Sequence, residues 1–514
     1  MEGWNNGTIG NSPNIPLFHF SNRFLKNFFE YFLVAIISLL FFSYYQYQTE
    51  YIPGTDGYYH IKIAYLMRRL GFISEFKWAH FSLWNEHFSD KEFLYHIYLI
   101  PFTFFSDLTT GAKLGTVVLA GAGLTSFYAV LKLNRIKYAW FWLFLLCASG
   151  GYFLYRANVP RPQVLSIFLL IWAVHFILNK KKILLAILCF IYTYSYTAYH
   201  LPLVLAAIVY FYQLIFEKEN DWKTPVTALC AIIAGMLLSP FFPNNLTMFY
   251  LQNFYILWKG TGGGPDLHMA GEFSPMSTYN MLVVNMAVLI PYFAAFFTAL
   301  FSPEKTGKTA KALFWLSLSL IILTFLSKRF AEYSVPVTLL FCAFFFSPYL
   351  ENLSVRKSLK PLKGKLFALL FIAGMAFLFI NSHINLIPEF SNVKPPGLRG
   401  AALYLLEHTD DDELVFTADW DDAPELFYFN HKNRYFVFLD PNFMYFYNNR
   451  IWEKWDSLSN GRMGNKTCEM LKSDFGIRYG VATSDFSGLR QIIAKDPKAE
   501  IVYKDSYAYV FRIN

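Results

Sequence analysis

The chain has 514 residues, of which 55% are hydrophobic, 20% aromatic and 16% charged, and its mean hydropathy is +0.32. Because soluble proteins have about 25% charged residues, this composition excludes an ordinary soluble enzyme and a disordered chain. The formal net charge of +8 would suit a nucleic-acid partner. Lys and Arg also accumulate in the cytoplasmic loops of membrane proteins, and their positions favour that cause, so no nucleic-acid partner is predicted.

Apolar runs along the chain predict a polytopic helical membrane protein. A helix needs roughly 17–25 mainly apolar residues to cross a bilayer, and about eleven such runs are present. They lie near residues 27–48, 110–131, 138–156, 163–179, 183–200, 202–216, 224–241, 281–301, 311–327, 331–349 and 365–381. A shorter apolar segment, residues 93–106, contains His96 and Pro101 and is interpreted as re-entrant or interfacial.

The positions of Lys and Arg predict the orientation of these spans. Arg23 and Lys26 precede the first run and place the N-terminal tail, residues 1–26, in the cytoplasm. Alternation then puts every Lys-rich short loop on the same side, at residues 132–137, 180–182, 218–223, 305–311 and 356–365. A span at residues 93–106 would invert the later loops. We therefore expect a multi-pass protein of the inner (plasma) membrane, in contact with membrane lipids.

The predicted transmembrane bundle covers residues 27–384, and large loops at 48–109 and 241–280 lie outside, together with the short loop 156–163 and the C-terminal region 385–514. Helix signals at residues 397–408 and 489–494 mix with strand signals in this C-terminal region, which predicts an extracytoplasmic α/β domain. The strand signals lie at residues 414–417, 435–439, 477–482, 500–504 and 508–513. In the first of these helices, Ala401, Leu405 and Leu406 are predicted to share the buried face. Long loops on one side indicate chemistry on that side.

Two acidic residues in the predicted outer loops are candidates for catalysis. Asp56, in Thr55–His60, lies just outside the first span, where a carboxylate can act as a base or a metal ligand. The alternative is a helix N-cap, a position that favours Asp. Glu272 lies in the Gly-rich loop before the eighth span, and such a loop can close over a bound substrate. The alternative is a solvated loop residue.

Three arginines at the predicted outer boundary are candidates for binding a donor phosphate, because the guanidinium fork matches phosphate oxygens. Arg329 lies where Lys and Arg of short loops are normally scarce. Arg156 and Arg161 lie in a very short loop. The alternatives are an interfacial Arg329 paired with Glu332, and a rigid turn made by the two prolines of the short loop.

The segment Asp419–Glu425 contains Trp420, Asp421 and Asp422 and is predicted to bind an acceptor, since Trp stacks on sugars and carboxylates accept hydrogen bonds. The alternative is a helix start, with Asp421 or Asp422 as the N-cap and Pro424 in the first turn. Tyr59 and His60, beside Asp56, are further acceptor-binding candidates. The histidines of residues 48–109 do not have the i, i+4 spacing of a helical metal pair.

In their order along the chain, these motifs resemble those of the GT-C class of membrane glycosyltransferases, most closely the catalytic subunits of oligosaccharyltransferases. The resemblance spans nearly the whole chain, although each motif is short. The matching residues are Asp56–His60 for the acidic motif of the first outer loop, Glu272–Pro275 for the glutamate motif, Arg329, Phe330, Tyr333 and Pro336 for the arginine near the donor pyrophosphate, and Ala418–Asp421, loosely, for the Trp-Trp-Asp acceptor motif.

The resemblance implies transfer of a sugar or oligosaccharide from a polyprenyl-(pyro)phosphate-linked donor to a protein, lipid or glycan acceptor on the outer face of the membrane. It also implies Mg²⁺ or Mn²⁺ held by Asp56 and Glu272. The family has an acidic pair in the second outer loop, whereas residues 156–163 contain no acid. Either the two carboxylates hold the metal alone, or Arg161 replaces the cation. The segment Ala418–Asp421 has one Trp where the family motif has two, so the identity of the acceptor stays open.

Other functions remain open on the sequence alone. A monosaccharide transferase acting on a lipid, glycan or protein hydroxyl would differ only in donor and acceptor. A flippase or transporter of lipid-linked sugars would place ionisable residues within its spans and often shows internal repeats, whereas these spans contain few charges. A receptor with an outer binding domain would not need the loops that contain Asp56 and Glu272.

Overall fold

The computed structural model describes residues 17–255, 271–301, 306–351 and 361–514. Most of the predicted N-terminal tail and parts of the Lys-rich loops at 305–311 and 356–365 lie outside the described residues. Every predicted apolar run contains a helix. These helices are Leu17–Gln46, Leu108–Leu133, Ala139–Cys147, Gly151–Arg156, Gln163–Leu178, Lys182–Tyr192, Leu201–Tyr212, Lys223–Leu237, Met286–Phe301, Lys308–Leu326, Ala331–Glu351 and Leu362–Ser391.

Five stretches of the described chain are long and apolar enough to cross a membrane: 27–46, 108–133, 308–326, 328–351 and 362–391. Six further apolar helices have 10–17 residues, and one of them is Phe93–Phe104, interpreted above as re-entrant or interfacial. The helices fit a multi-pass membrane protein, and the number of eleven spans stays a prediction.

Two helices extend beyond the predicted boundaries. The first begins at Leu17, ten residues before the predicted span, and its apolar stretch begins at Asn27, where the span was predicted to start. The last helix of the bundle continues to Ser391, so the predicted domain boundary at residue 385 lies inside it. The run 138–156 is broken at residues 148–150. Glycine weakens a helix, and a Cβ at Gly150 would lie 2.2 Å from Oδ1 of Asn285, so this close approach requires glycine.

Residues 48–109, here called the first loop, are largely helical. They contain the helices Asp56–Leu70, Leu83–Glu86 and Phe93–Leu99, and a 3-10 helix at Ile100–Phe104. The loop 241–280 begins with a helix at Asn244–Tyr250 and a π-helical turn at Leu251–Tyr255.

The C-terminal region contains a five-stranded sheet of order β2-β1-β3-β5-β4. Its strands are β1 (Leu414–Thr417), β2 (Arg434–Tyr435), β3 (Tyr479–Thr483), β4 (Ala499–Lys504) and β5 (Ala508–Ile513). β2, β1 and β3 are parallel, whereas β5 runs antiparallel to β3 and β4. The helices are Arg399–His408, Ala423–Phe429, Pro441–Tyr447, Asn449–Ser459, Thr467–Ser473 and Ser487–Lys495.

Four of the five strands predicted in this region are present with similar bounds, whereas the predicted strand 435–439 shares only Tyr435 with β2. The predicted buried face of the helix Arg399–His408 is partly wrong. Ala401 and Leu405 are buried, but Leu406 is 36% exposed, and Ala402 is buried instead. The first loop extends the sheet, since Ala79 pairs in parallel with Tyr435 of β2.

Aromatic side chains join the first loop to the C-terminal region. Tyr59, Phe76 and Trp84 of the loop share one buried apolar cluster with Phe427 and Phe438. Removal of such large apolar side chains from water is the main stabilising contribution to a contact of this kind. This packing sets the helix Asp56–Leu70 against the helix Ala423–Phe429 and brings two distant acidic segments together.

Candidate functional site

Asp56 is the first residue of its helix, and Thr55 occupies the N-cap position. The interpretation of Asp56 as a helix cap is therefore wrong. Its Oδ2 lies 3.1 Å from Nη2 of Arg161 in the short loop 156–163. The two loops are in close contact, since a Cβ at Gly57 would lie 3.1 Å from Cβ of Pro160.

Glu272, in the short 3-10 helix Gly271–Phe273, is mostly buried among three arginines. Nη1 of Arg161 lies 3.4 Å from its Oε2, and Nη1 of Arg329 lies 3.4 Å from its Oε1. Nη1 of Arg156 donates to Oε2 as well. Burial alone would raise the pKa of Glu272, but the three guanidinium charges outweigh burial and lower the pKa to about 2. The interpretation of Glu272 as a solvated residue is therefore wrong.

Arg156 is the buried member of the group. Its Nε and Nη2 donate to Oε2 of Glu332 at 3.0 and 2.9 Å. Glu332 was considered above as a partner of Arg329, but in the structure it pairs with Arg156. A buried charge is tolerated only when it is paired and hydrogen-bonded, so this pair fixes the orientation of Arg156 toward Glu272.

Arg329 is held by aromatic side chains. Its Nη2 donates to the hydroxyl of Tyr196, and its guanidinium carbon lies 5.2 Å from the ring centroid of Phe273 and 5.5 Å from that of Tyr196. The backbone N–H of Lys328 also donates to the carbonyl of Ser274 at 3.0 Å. Tyr196 was missed in the sequence, and the signal was a series of tyrosines after the helix Lys182–Tyr192.

The six charged residues Asp56, Arg156, Arg161, Glu272, Arg329 and Glu332 form what we call the ion-pair cluster. Three positive and three negative formal charges cancel. The side chains of Arg161 and Arg329 are 25% and 24% exposed, whereas that of Arg156 is 4% exposed. Arg161 and Arg329 can therefore donate to an incoming anion, while Arg156 holds Glu272.

The residues present do not fit the divalent metal that the resemblance implies. Mg²⁺ requires near-octahedral oxygen coordination, usually with one or two carboxylates and several waters. Asp56 and Glu272 are bridged here by Arg161, whose charge opposes a cation at the same place. In the part of the chain that the structure describes, no group of three or more His, Cys, Asp or Glu is arranged to hold a metal ion.

The predicted acceptor segment lies beside the cluster. Oγ1 of Thr55 donates to Oδ1 of Asp421 at 2.8 Å, which joins this segment to Asp56. Burial raises the pKa of Asp421, and the nearby charge of Asp56 adds to this effect. Trp420 is partly buried against the apolar side chains of the C-terminal region.

Asp422 occupies the N-cap position of the helix Ala423–Phe429, and Pro424 lies in the first turn. This agrees with the alternative interpretation of the segment, but the side chain of Asp422 makes no capping hydrogen bond. Burial raises the pKa of Asp422 well above its usual range, and the neighbouring carboxylates of Asp419 and Asp421 add to the shift.

Tyr59 and His60 are both buried in this structure, and their assignment as acceptor-binding residues stays a prediction. Tyr59 packs within the aromatic cluster of the first loop. His60 Nδ1 lies 2.9 Å from Nε2 of His96, whose Nδ1 lies 2.7 Å from Oδ2 of Asp90. This buried chain was not predicted, because the three residues show no regular spacing in the sequence.

No family model and no curated protein sequence matches the chain. Solved structures do resemble it. The archaeal oligosaccharyltransferase AglB from Archaeoglobus fulgidus, in complex with an inhibitory peptide and a dolichol-phosphate, is similar with a TM-score of 0.68 and 11% identity, over 90% of this chain and 70% of that one.

Two further structures are similar over almost all of this chain. ArnT from Cupriavidus metallidurans, bound to undecaprenyl phosphate, has a TM-score of 0.57 and 11% identity, over 93% of this chain and 97% of that one. The arabinofuranosyltransferase AftD from Mycobacteria has a TM-score of 0.57 and 13% identity, over 94% of this chain and 41% of that one. The chain therefore has the fold of the GT-C membrane glycosyltransferases.

Proposed function

We propose that this protein is a membrane glycosyltransferase that moves a sugar or oligosaccharide from a polyprenyl-phosphate or polyprenyl-pyrophosphate donor to an acceptor on the outer face of the membrane. The observation that carries the proposal is the ion-pair cluster. Two partly exposed guanidinium groups, those of Arg161 and Arg329, both contact Glu272, and that of Arg161 also contacts Asp56. Phosphate is the ligand that paired guanidinium groups favour.

The similar structures support the choice of donor. AglB is described with a dolichol-phosphate and ArnT with undecaprenyl phosphate. Both are lipid phosphates of the kind that transfer from a polyprenyl carrier would leave behind. The GT-C fold supports a lipid-linked donor, and in this proposal the donor phosphate binds to Arg161 and Arg329.

In the proposed reaction, a nucleophilic atom of the acceptor attacks the anomeric carbon of the donor sugar. The new bond to this carbon forms as its bond to the phosphate oxygen breaks, and that oxygen keeps the electron pair. Asp56 accepts the proton that the acceptor loses. Arg161 and Arg329 stabilise the negative charge that develops on the leaving phosphate. Glu272 holds both guanidinium groups in place.

The C-terminal region presents the acceptor beside Asp56 in this proposal. The hydrogen bond between Thr55 and Asp421 joins the acceptor segment to the start of the helix Asp56–Leu70. Trp420 and Asp421 would contact the acceptor, whereas Asp422 lies at the N-cap position of the helix behind them. The acceptor is a protein, a lipid or a glycan.

The test is transfer by the purified protein in lipid nanodiscs, with lipid-linked sugars as donors and mass spectrometry of the products. We expect Asp56→Ala to lower transfer by at least about 100-fold, the usual contribution of a general base. Glu407→Ala, an exposed acid on the helix Arg399–His408, is the control and should keep full transfer. If Asp56→Ala and Glu272→Ala both keep full transfer, the site assignment is wrong.

A monosaccharide transferase is the second candidate. The observation that favours it is the similarity to AftD, which is described as an arabinofuranosyltransferase. The mass added to the product separates the two candidates, since one sugar residue and an oligosaccharide differ by whole sugar units.

A further inference from the structure

We infer that Arg161 is a built-in cation, which supplies between Asp56 and Glu272 the positive charge that a divalent metal would provide, so that this site works without a metal ion. The inference rests on the proposed function for what the cation does. Its structural part is that a guanidinium occupies the place between the two carboxylates. This part does not depend on the reaction.

The geometry of Arg161 carries the first step. Its Nη2 lies 3.1 Å from Oδ2 of Asp56, and its Nη1 lies 3.4 Å from Oε2 of Glu272. One guanidinium therefore bridges the two carboxylates that the resemblance assigns to the metal. A metal ion that bound both oxygens would have to displace this guanidinium from its two partners.

The surrounding backbone holds Arg161 in this place. The chain turns tightly in the short loop 156–163, called the second loop from here on. There the N–H of Arg161 donates to the carbonyl of Val159 at 2.7 Å. Gly54 has a φ of +81°, and a Cβ there would lie 4.0 Å from Nε of Arg161. Glycine adopts this left-handed backbone conformation without a steric clash, so the first loop can pass close to the guanidinium.

The charges of the ion-pair cluster carry the second step. Arg156, Arg161 and Arg329 balance Asp56, Glu272 and Glu332 before any donor binds. A divalent cation would add two positive charges beside three guanidinium groups, whose charges already balance the three carboxylates of the cluster. A donor phosphate adds negative charge instead, which the two partly exposed arginines can accept.

A guanidinium can replace the electrostatic role of a metal, but not its Lewis-acid ligation. It has five N–H donors and stays protonated at every physiological pH. Two of these donor positions face Asp56 and Glu272, and the remaining N–H groups are available to a phosphate oxygen.

The structural part is tested by titrating the full-length protein in nanodiscs with Mn²⁺ and measuring free Mn²⁺ by electron paramagnetic resonance. We expect the wild-type protein to take up no more Mn²⁺ than empty nanodiscs. Arg161→Asp should gain saturable Mn²⁺ uptake, because it places a third carboxylate beside Asp56 and Glu272. Arg69→Asp, at an exposed position of the first loop, adds the same charge elsewhere and should behave as the wild type.

Saturable Mn²⁺ uptake by the wild-type protein that is lost in Asp56→Asn would overturn the inference. This comparison needs no catalytic activity, and it decides the matter even if Arg161→Asp does not fold. The functional part is tested by adding EDTA to the transfer assay. We expect transfer to change by less than about twofold, whereas a loss of about tenfold or more, restored by Mn²⁺, would also overturn the inference.

The two proposals fail in different ways. If no lipid-linked donor supports transfer, the proposed function is wrong, and the Mn²⁺ titration still reports on Arg161. If transfer occurs but depends on Mn²⁺, the proposed function is supported, and the inference that Arg161 replaces the metal ion is wrong. Arg161→Gln separates charge from volume, and it should lower transfer about 100-fold while Mn²⁺ fails to restore it.

Discussion

Glu272 lies where charges from two separate parts of the chain meet, because Arg156 and Arg161 belong to the second loop and Arg329 follows the helix Lys308–Leu326. Its pKa of about 2 reflects these three charges, which outweigh the effect of burial. The carboxylate is thus ionised throughout the physiological range. Single side chains of this cluster have roles that depend on partners far away in the sequence.

Glu272→Gln should change the acid stability of the protein. The pKa of Glu272 is lowered from 4.5 to about 2 by folding, so its charge stabilises the folded state above pH 4.5 and loses this effect as the pH falls toward 2. We expect the thermal midpoint of the wild-type protein to fall more steeply over this interval than that of Glu272→Gln. The control Glu407→Gln should follow the wild-type profile. Parallel pH profiles of the wild type and Glu272→Gln would contradict the lowered pKa of Glu272.

Asp422→Asn should stabilise the protein at neutral and alkaline pH. Folding raises the pKa of Asp422, so its ionisation destabilises the folded state as the pH rises through the unfolded value. Asn is as favourable as Asp at a helix N-cap and carries no charge. We expect a gain of about 1–2 kcal/mol, seen as a higher thermal midpoint at pH 8 and a smaller gain at pH 4. A lower midpoint at pH 8 would argue against this account of Asp422.

Among the secondary-structure elements, the helix Asp56–Leu70 connects the bundle to the C-terminal region. Its first turn contacts the second loop through Gly57, and its aromatic side chains pack against those of the helix Ala423–Phe429. The extension of β2 by Ala79 fixes the same loop at the edge of the sheet. Two predicted functional segments are therefore in direct contact, although they are distant in sequence.

Thr55→Val tests this connection. The substitution keeps the shape of the side chain but removes the hydroxyl that donates to Asp421. A hydrogen bond to a charged group contributes about 1.5–3 kcal/mol, so we expect KM for the acceptor to rise about tenfold or more. KM for the lipid-linked donor should be unchanged. An equal effect on both substrates would show that Thr55 acts on the whole site. Thr409→Val, a buried hydroxyl in the C-terminal region, is the matched control.

In the whole molecule, two groups of charges lie at opposite ends of the bundle. Lys180, Lys182 and Lys308 pair with Glu217, Glu219 and Asp221 at one end. The helices Gln163–Leu178 and Lys308–Leu326 lead from there to the ion-pair cluster, over 16 and 19 residues. At 1.5 Å per residue this is about 24–28 Å, close to the thickness of the bilayer core. These ion pairs join three of the basic loops that were predicted to share one side, at residues 180–182, 218–223 and 305–311.

The predicted orientation can be measured with single cysteines and a membrane-impermeant maleimide. We expect Lys77→Cys, at an exposed position of the first loop, to react in intact cells. Lys181→Cys should react only after the membrane is opened, because the Lys-rich loops are predicted to face the cytoplasm. The unsubstituted protein reports the background from its native cysteines. The reverse pattern would place the ion-pair cluster on the cytoplasmic side.

Much of the architecture follows from local properties of the sequence. Apolar runs and the positions of Lys predicted the helices and the sharing of one end by the basic loops, and strand signals identified β1 and β5 with their observed bounds. Helix ends were less predictable, as at Ser391, because a helix continues through polar residues when its neighbours support it.

The candidate site was predicted as a set of separate motifs, and its internal contacts were not. Asp56, Glu272 and Arg329 stood out because a charge at a span boundary is a local signal. The pairing of Arg156 with Glu332 joins residues 176 positions apart, and no sequence pattern distinguishes it from a pairing with Arg329. The burial of Tyr59 depends on a C-terminal region that begins more than 300 residues later.

The sequence by itself determined that this is a membrane protein with helices, basic loops at one end and a C-terminal α/β region, because hydropathy, charge and strand propensity are properties of short segments. Only the tertiary structure decided that Arg161 lies between Asp56 and Glu272. The bridge joins residues as far as 111 positions apart, and it depends on how independent helices pack. Electrostatic partners are chosen by distance and burial, which exist only after the chain has folded.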